Sequence, residues 1–358
     1  MSILHIAPQN IAGVPWRIVK EERRRGFDSW LITMSRHPYG FGEDECLELP
    51  FAADGLARLF QKSLSTTPEK INARRGDVSE KPPIWKGSKF PANKLFDMRD
   101  RLWKPKLYKA GFPCRLLDYN IIVLDGGLPL LRSGKWLLPW AKATHRLATT
   151  YYGTDLRQHG VIREIDAAAG MVFAMEFDHL ALHPRATWLP FPFDTLEISP
   201  ANPPDSPPVR IGHAVVTRSS KGSDAILAAI AEVAKDHDIE PVLIERLPYK
   251  EALELKSTCH IFIDQLGELG YGLSGLESLA MGIPTVVELL PDHEEFIGKH
   301  PFVIANSDTL ADVLRGLIDD EPRRRELTQI GPKWVAEFHS PARTVDIIHE
   351  KYHDLGWL

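Results

Sequence analysis

The sequence predicts an α/β protein built as two doubly wound domains on parallel sheets, and three features of the chain predict it. Past Arg210, short apolar runs alternate regularly with helix-period segments. The chain opens on a unit of the same kind, and a proline-rich stretch separates the two regions. Such alternation places crossover helices between parallel strands, covering both faces of each sheet.

The first domain is expected over 1–195. ILHIAP (3–8) is a continuous apolar run, the pattern of a strand buried on both faces. A helical stretch ending in VKEERRRG and a second strand, SWLITM (29–34), complete the opening unit. NIIVLD (120–125), RLATTYY (146–152), GMVFAM (170–175) and ATWLPF (186–191) read as later strands. Between Gln61 and Arg115 the periodicity fades, and fourteen Lys and Arg stand against five Asp and Glu. This insertion is therefore +9 while the rest of the chain is −14. A charge run is most often a solvated face. Here Trp85, Phe90, Phe96, Trp103, Tyr108 and Phe112 are interleaved with the cations, which also fits an anionic membrane or an anionic glycan.

FPFDTLEISPANPPDSPPVR (191–210) contains six prolines. They forbid a helix or a central strand, so the domain boundary is expected there. The second domain, 196–340, then reads VRIGHAVV, helix SDAILAAIAEVAKD, PVLIER, helix YKEALELKSTC, HIFIDQL, a glycine loop and helix SGLESLAMG. Strands PTVVE and FVIAN follow, each trailed by a helix. The last segment, 341–358, is an amphipathic helix expected to cross back to the first domain. Two such domains are expected to face each other across a ligand-binding cleft.

Composition narrows the function classes. Apolar content of 44% and charged content of 25% fit a soluble globular enzyme. A net charge of −5 gives no global attraction to nucleic acid. Cys46, Cys114 and Cys259 show no metal-ligand spacing and are expected to be reduced, buried thiols of a cytoplasmic protein, with no metal bound. The first residues lack a basic segment followed by an apolar core, so they do not read as a signal peptide. No apolar stretch reaches the ~18 residues of a membrane span.

Two loops can carry chemistry. ELGYGLSGLESLAMGIPTVVE (268–288) places Gly270, Gly272 and Gly275 between a strand and a helix. Glycines there let backbone N–H groups approach an anion at a helix N-terminus, so a phosphate or diphosphate fits. The order is not GxGxxG and it follows the third strand of its domain, which disfavours a dinucleotide fingerprint. Ser274-Gly275-Leu276-Glu277 is also S-x-x-E, and on sequence alone a capping box is the expected role of Glu277. HAVVTRSSKGSD (213–224) sets Arg218 and Lys221 beside a helix expected to start at Ser223 or Asp224. Two cations at a helix N-terminus can clamp a diphosphate, and as exposed loop cations they are expected to contribute little to folding. In the first domain, Gly13 lies in a loop after the first strand, Asp125 ends a strand, and YYGTDLRQHG (151–160) carries Asp155 and Arg157. An ion pair between Asp155 and Arg157 is the bland reading. Asp236-His237-Asp238 resembles a metal-binding D-x-D string but falls at the wrong end of its strand, on exposed surface.

Taken together, these segments resemble the GT-B-fold retaining glycosyltransferases of the family 4 type, over nearly the whole chain. YGLSGLESLAMGIPTVV is similar to that family's F-G-x-x-x-x-E-A-M-A-x-G-x-P-V-V segment, HAVVTRSSKG to its diphosphate loop, YYGTDLR to H-G-S-D-L-R, and WLPFPFDT to L-P-N-P-V-D-T. The resemblance implies a GT-B fold and transfer of a sugar from a nucleoside-diphosphate sugar to an acceptor hydroxyl, with retention and without metal or further cofactor. The acceptor class would be a glycan, a lipid-linked or a small molecule, and nucleic acid is not a partner. It implies that Glu277 holds the nucleotide ribose and that Gly270, Tyr271, Gly272, Leu273, Ser274, Glu268 and Gly13 line the donor. Arg218 and Lys221 would stabilise the leaving diphosphate, and Asp155 and Asp125 would orient the sugar or acceptor. Leu269 stands where the family has a first Glu, Val216 where it usually has an Arg, and Asp125 and Tyr152 where it has histidines. Such an enzyme is expected in the cytoplasm, with peripheral contact at the inner membrane face. The alternatives are a non-catalytic nucleotide-sugar-binding or assembly protein of the same fold, and, less well supported, an NAD-dependent oxidoreductase.

Overall fold

The computed structural model describes residues 1–52, 80–85, 92–153, 155–215, 221–267 and 270–358. Residues 61–79 and 86–91 of the basic insertion and the residues Val216, Arg218, Glu268 and Leu269 lie outside the described residues. The chain forms two compact units, Met1–Pro192 with Thr344–Leu358, and Phe193–Arg343.

Among the described residues the first unit contains β1 (Ser2–Ala7), α1 (Val14–Arg24), β2 (Asp28–Thr33), β3 (Glu45–Cys46), α2 (Ala92–Lys109) and β4 (Ile121–Asp125). It continues through α3 (Leu137–Thr144), β5 (Leu147–Tyr151), α4 (Arg163–Ala168), β6 (Met171–Ala174), α5 (His179–Leu182) and β7 (Ala186–Trp188). The strands run parallel in the order β3-β2-β1-β4-β5-β6-β7. β4 is buried along its whole length, as a central parallel strand covered on both faces must be. One face packs Leu4, Ile6, Ile122 and Leu124 against Trp103, Leu107, Trp140 and Ala141 of α2 and α3.

The second unit contains β8 (Val209–Val215), α6 (Ser223–Val233), β9 (Ile239–Glu245), α7 (Tyr249–Lys256), β10 (Ile261–Ile263) and α8 (Leu273–Ala280). β11 (Thr285–Val287), α9 (Pro291–Ile297), β12 (Val303–Ile304), α10 (Leu310–Asp319) and α11 (Glu321–Phe338) complete it. Its strands are parallel in the order β12-β11-β10-β8-β9. Ile211, Ile261, Ile263 and Val286 pack under Ile226, Ile230, Leu310 and Leu314 on one face, and Val242, Ile244 and Phe262 under Leu253, Met281 and Ile283 on the other. The last helix, α12 (Pro341–Asp354), begins in this unit, and from Thr344 the chain belongs to the first unit again. Of the three cysteines only Cys259 is buried; Cys114 is exposed and Cys46 half-buried, a correction to the expectation of three buried thiols.

The first sheet contains a line of buried charge. His5 on β1 is in register with Val123 of β4. Asp125, two residues on, therefore shares the His5 face of the sheet. Asp125 pairs in turn with Thr150 of β5, so Tyr152 meets it by the same alternation. The His5 ring bonds Asp125 through Nδ1 at 3.1 Å and Glu22 of α1 through Nε2 at 3.2 Å. The Tyr152 hydroxyl donates to the other Asp125 oxygen, Ser29 donates to Glu22, and His349 of α12 lies 3.8 Å from Glu22. Burial opposes charge on His5, but the two carboxylates override it and raise its pKa to about 10. Burial likewise opposes charge on Glu22, yet His5, His349 and Ser29 lower its pKa to about 2.

A raised histidine stabilises the fold fully below its ordinary 6.5 and ceases to do so as pH rises towards 10. A lowered glutamate stabilises above 4.5 and ceases as pH falls towards 2. The His5–Glu22 contribution is thus complete between pH 4.5 and 6.5. His5→Leu strands two buried carboxylates and is expected to cost about 3–5 kcal/mol at neutral pH. The loss should shrink in acid, where those carboxylates can protonate; urea unfolding at several pH values measures it.

Candidate functional site

In an open parallel sheet, ligands bind at the carboxyl ends of the strands where the strand order reverses. In the second unit that point lies between β8 and β10. β8 is followed by Lys221 and Gly222, and β10 by Asp264 and the glycine loop. Both loops feed helix N-termini, α6 and α8, whose first N–H groups lack intrahelical partners.

The two loops are locked together by Asp264. Its carboxylate is fully buried; one oxygen accepts from Lys221 Nζ at 2.7 Å and the other from the Gly272 N–H at 2.7 Å. Burial alone would raise this carboxyl, but the Lys221 ammonium, the Gly272 N–H and the charge of Lys256 hold it below the usual carboxylate range. Gly275 is required by the same contact, since a Cβ there would stand 2.8 Å from Asp264 Oδ2. A Cβ at Gly272 would come 3.4 Å from Lys221 Nζ, so the lysine head lies directly beside the α8 N-terminus. Gly222 has φ +65° and its missing Cβ would meet the Leu266 carbonyl at 2.2 Å.

Several expectations are corrected here. The N-cap of α8 is Gly272, and no side-chain cap is made; the Ser274–Glu277 capping box does not form. Ser274 lies inside the first turn and its hydroxyl accepts from Lys256. The N-cap of α6 is Gly222, while Ser223 is buried and bonded to His213 Nε2 at 3.0 Å. Lys221 is a partner of a buried carboxylate and not a free loop cation. Glu277, on the second turn of α8, receives the Tyr249 hydroxyl on Oε1 at 3.0 Å and the Lys256 ammonium on Oε2. Gly270 (φ +85°) closes against the His293 ring, and its carbonyl accepts from Gln265. Tyr271 turns its ring inward, stacked on His293 and bonded to His339 at 3.1 Å, so only its backbone faces the loop. Leu273 and Ser274 are half-buried at the helix start.

In the first unit the order reverses between β1 and β4. Gly13 (φ +74°), the N-cap of α1, lies after β1, and Gly126 follows Asp125 at the end of β4. Asp125 is sealed, with both oxygens engaged by His5 and Tyr152. Asp155 opens a single π turn after β5 and accepts the Tyr152 N–H at 3.0 Å. A Cβ at Gly126 would be 3.6 Å from its Oδ2, so the carboxylate lies beside this glycine. Burial raises the Asp155 carboxyl to about 7 against the Tyr152 N–H and the charge of Arg157. The expected Asp155–Arg157 pair is not made: Arg157 grips Asp178 through both Nε and Nη2. Asp236 of the D-x-D string pairs with Arg315 at 3.0 Å on the exposed surface.

Sequence reasoning missed Asp264, Lys256, Tyr249 and His5. The available signal for Asp264 was a lone carboxylate closing the apolar run IFI just before three glycines.

No family model matches the sequence, and no curated protein matches it. Solved structures do. Sucrose-phosphate synthase from Thermosynechococcus elongatus aligns over 99% of this chain and 99% of its own, with a TM-score of 0.58 and 13% identity. A glycosyltransferase from Rickettsia africae aligns over 99% and 98%, with a TM-score of 0.59 and 13% identity. Anabaena HepE in complex with UDP and glucose aligns over 99% and 100%, with a TM-score of 0.54 and 12% identity. The fold is GT-B. Within this GT-B chain, the loops that hold Lys221, Asp264 and Gly272 stand at the carboxyl edge of the second sheet.

Asp264 and Lys221 are expected to behave as one unit. Lys221→Met leaves the buried carboxylate with the Gly272 N–H alone and should cost about 3 kcal/mol. Asp264→Asn in the same chain should return part of that loss. A double-mutant cycle from urea unfolding reads the coupling, and a coupling below about 0.5 kcal/mol would mean that the pair does not hold the loops.

Proposed function

We propose that the protein transfers a sugar from a nucleoside-diphosphate sugar to an acceptor hydroxyl, with retention and without a metal ion. The observation that carries this reading is the pairing, at one switch point, of a cation beside a helix N-terminus with a carboxylate on the following turn of that helix. Lys221 and the free N–H groups of α8 suit a diphosphate, and Arg218 would add a second cation. Glu277 suits a ribose diol, since each of its oxygens accepts one protein donor and keeps a further acceptor site. The bond from the anomeric carbon to the diphosphate breaks, that to the acceptor oxygen forms, and the acceptor proton leaves with the diphosphate. Catalysis by fixed positive charge on the leaving group requires no protein nucleophile. Asp155, beside Gly126, is the first-unit group for orienting sugar or acceptor; Asp125 acts through Tyr152. The solved HepE complexes hold UDP and UDP-glucose, which supports a uridine nucleotide as the first donor to test.

A ligand that binds only the folded state at about a hundred times its Kd adds roughly 2.7 kcal/mol of stability. UDP or GDP is expected to raise the melting temperature and NAD to leave it unchanged. If neither diphosphate does so, the reading fails. Binding without donor turnover would favour the non-catalytic alternative, and the anomer formed, with and without chelator, tests retention and metal independence.

We also propose a peripheral contact with an anionic membrane at the cytoplasmic face. No helix among the described residues is long and apolar enough to cross a membrane. On α2, Met98, Leu102 and Tyr108 are about half exposed, and Leu117 nearby is 75% exposed. Arg101 and Lys109 stand exposed on the same helix. Beside them a groove of about 660 Å³, lined by Leu116, Leu117, Trp136, Pro139 and Trp140, opens at the amino ends of β4 and β5. Sedimentation with vesicles should occur only with anionic lipid and reverse with salt; binding equal on neutral lipid would remove the proposal.

A further inference from the structure

We propose that Lys256 and Tyr249 are positioning residues that fix the Glu277 carboxylate for a ribose diol; this rests on the reading of the site given above. Both come from α7, whose first residue is Tyr249 and last Lys256. Lys256 is among the largest fully buried side chains of the protein, at 2% exposure. Its ammonium lies 4.6 Å from the centre of the Phe262 ring on β10. All three of its donors are spent on the start of α8, on the Ser274 carbonyl at 3.1 Å, the Ser274 hydroxyl at 2.9 Å and Glu277 Oε2.

A buried ammonium is costly unless it is paired and fully hydrogen-bonded. A purely structural lysine could meet that need with backbone carbonyls deep in the core. This one instead reaches the carboxylate that remains partly accessible, its side chain 13% exposed. Tyr249 holds the other oxygen at 3.0 Å. With one donor on each oxygen, the carboxylate cannot rotate about its last bond without breaking both. Its plane is therefore set before any ligand arrives, and the unused acceptor site on each oxygen matches two vicinal hydroxyls of a ribose. The S-x-x-E spacing has no part in this, because α8 is capped by Gly272. Glu277 owes its position to a different helix.

The proposal predicts a change in discrimination and not only in affinity. Calorimetric titration would compare UDP with 2′-deoxy-UDP, and GDP with 2′-deoxy-GDP, on wild type, Tyr249→Phe and Lys256→Met. Wild type should prefer the ribonucleotide about tenfold or more, the effect of one hydrogen bond to a charged group. Tyr249→Phe removes a single half-buried hydroxyl and should fold normally, with that preference cut by roughly threefold. Lys256→Met, where it folds, should bring the preference close to one. A structural role alone would weaken ribo- and deoxyribonucleotide equally and leave their ratio intact. An unchanged ratio in Tyr249→Phe overturns the proposal, whether or not Lys256→Met folds. A wild type that binds neither diphosphate, or binds both sugars equally, instead overturns the assignment of Glu277 to the ribose.

Discussion

One buried carboxylate sets the geometry of the loops at the carboxyl edge of the second unit's sheet. Asp264 has no access to solvent, so its charge can persist only while both of its donors stay in place. One donor belongs to the loop after β8 and the other to the loop after β10. Neither loop can move alone without exposing that carboxylate to an unpaired state inside the protein. The glycines follow from this demand. Gly275 makes room for the carboxylate, and Gly222 lets the first loop close on the Leu266 carbonyl. Gly275 is thus explained by what must fit beneath it as much as by what could bind above.

The first unit uses the same economy in a different form. His5 stands between two carboxylates where the resembled family has histidines at Asp125 and Tyr152, and the structure brings all three side chains into one hydrogen-bonded line. The imidazole at that edge is supplied by β1. Its charge is committed to holding β1, β4 and α1 together. Asp155, by contrast, has no cation gripping it, because Arg157 is taken by Asp178. Burial instead holds the Asp155 carboxyl up at about 7.

Much of the fold was legible in the sequence because parallel strands buried on both faces must be continuous apolar runs, and because six prolines cannot sit inside either sheet. The two loops of the candidate site were legible through their glycines and through Lys221. The partners of those loops were not. Lys221 and Asp264 are 43 residues apart, Lys256 and Glu277 are 21 apart, and His5 and Asp125 are 120 apart. No periodicity links residues across such separations; only strand order does. The Ser274–Glu277 spacing misled for a related reason. A local motif competes with tertiary partners, and here a buried ammonium from α7 outbid the helix's own backbone for both side chains.

The route of the chain has a consequence for its assembly. The first unit is discontinuous, and Thr344–Leu358 completes it. That last segment is no ornament: Tyr352 is buried and packs on Phe173, and Trp357 fills the space left by the missing side chain of Gly170. His349 faces Glu22 from the same helix. During synthesis the amino-terminal half therefore emerges first but cannot close its core until the final helix has left the ribosome. The unit made of Phe193–Arg343 is contiguous and can fold while its predecessor waits. The order in which the halves are translated is the reverse of the order in which they can be finished.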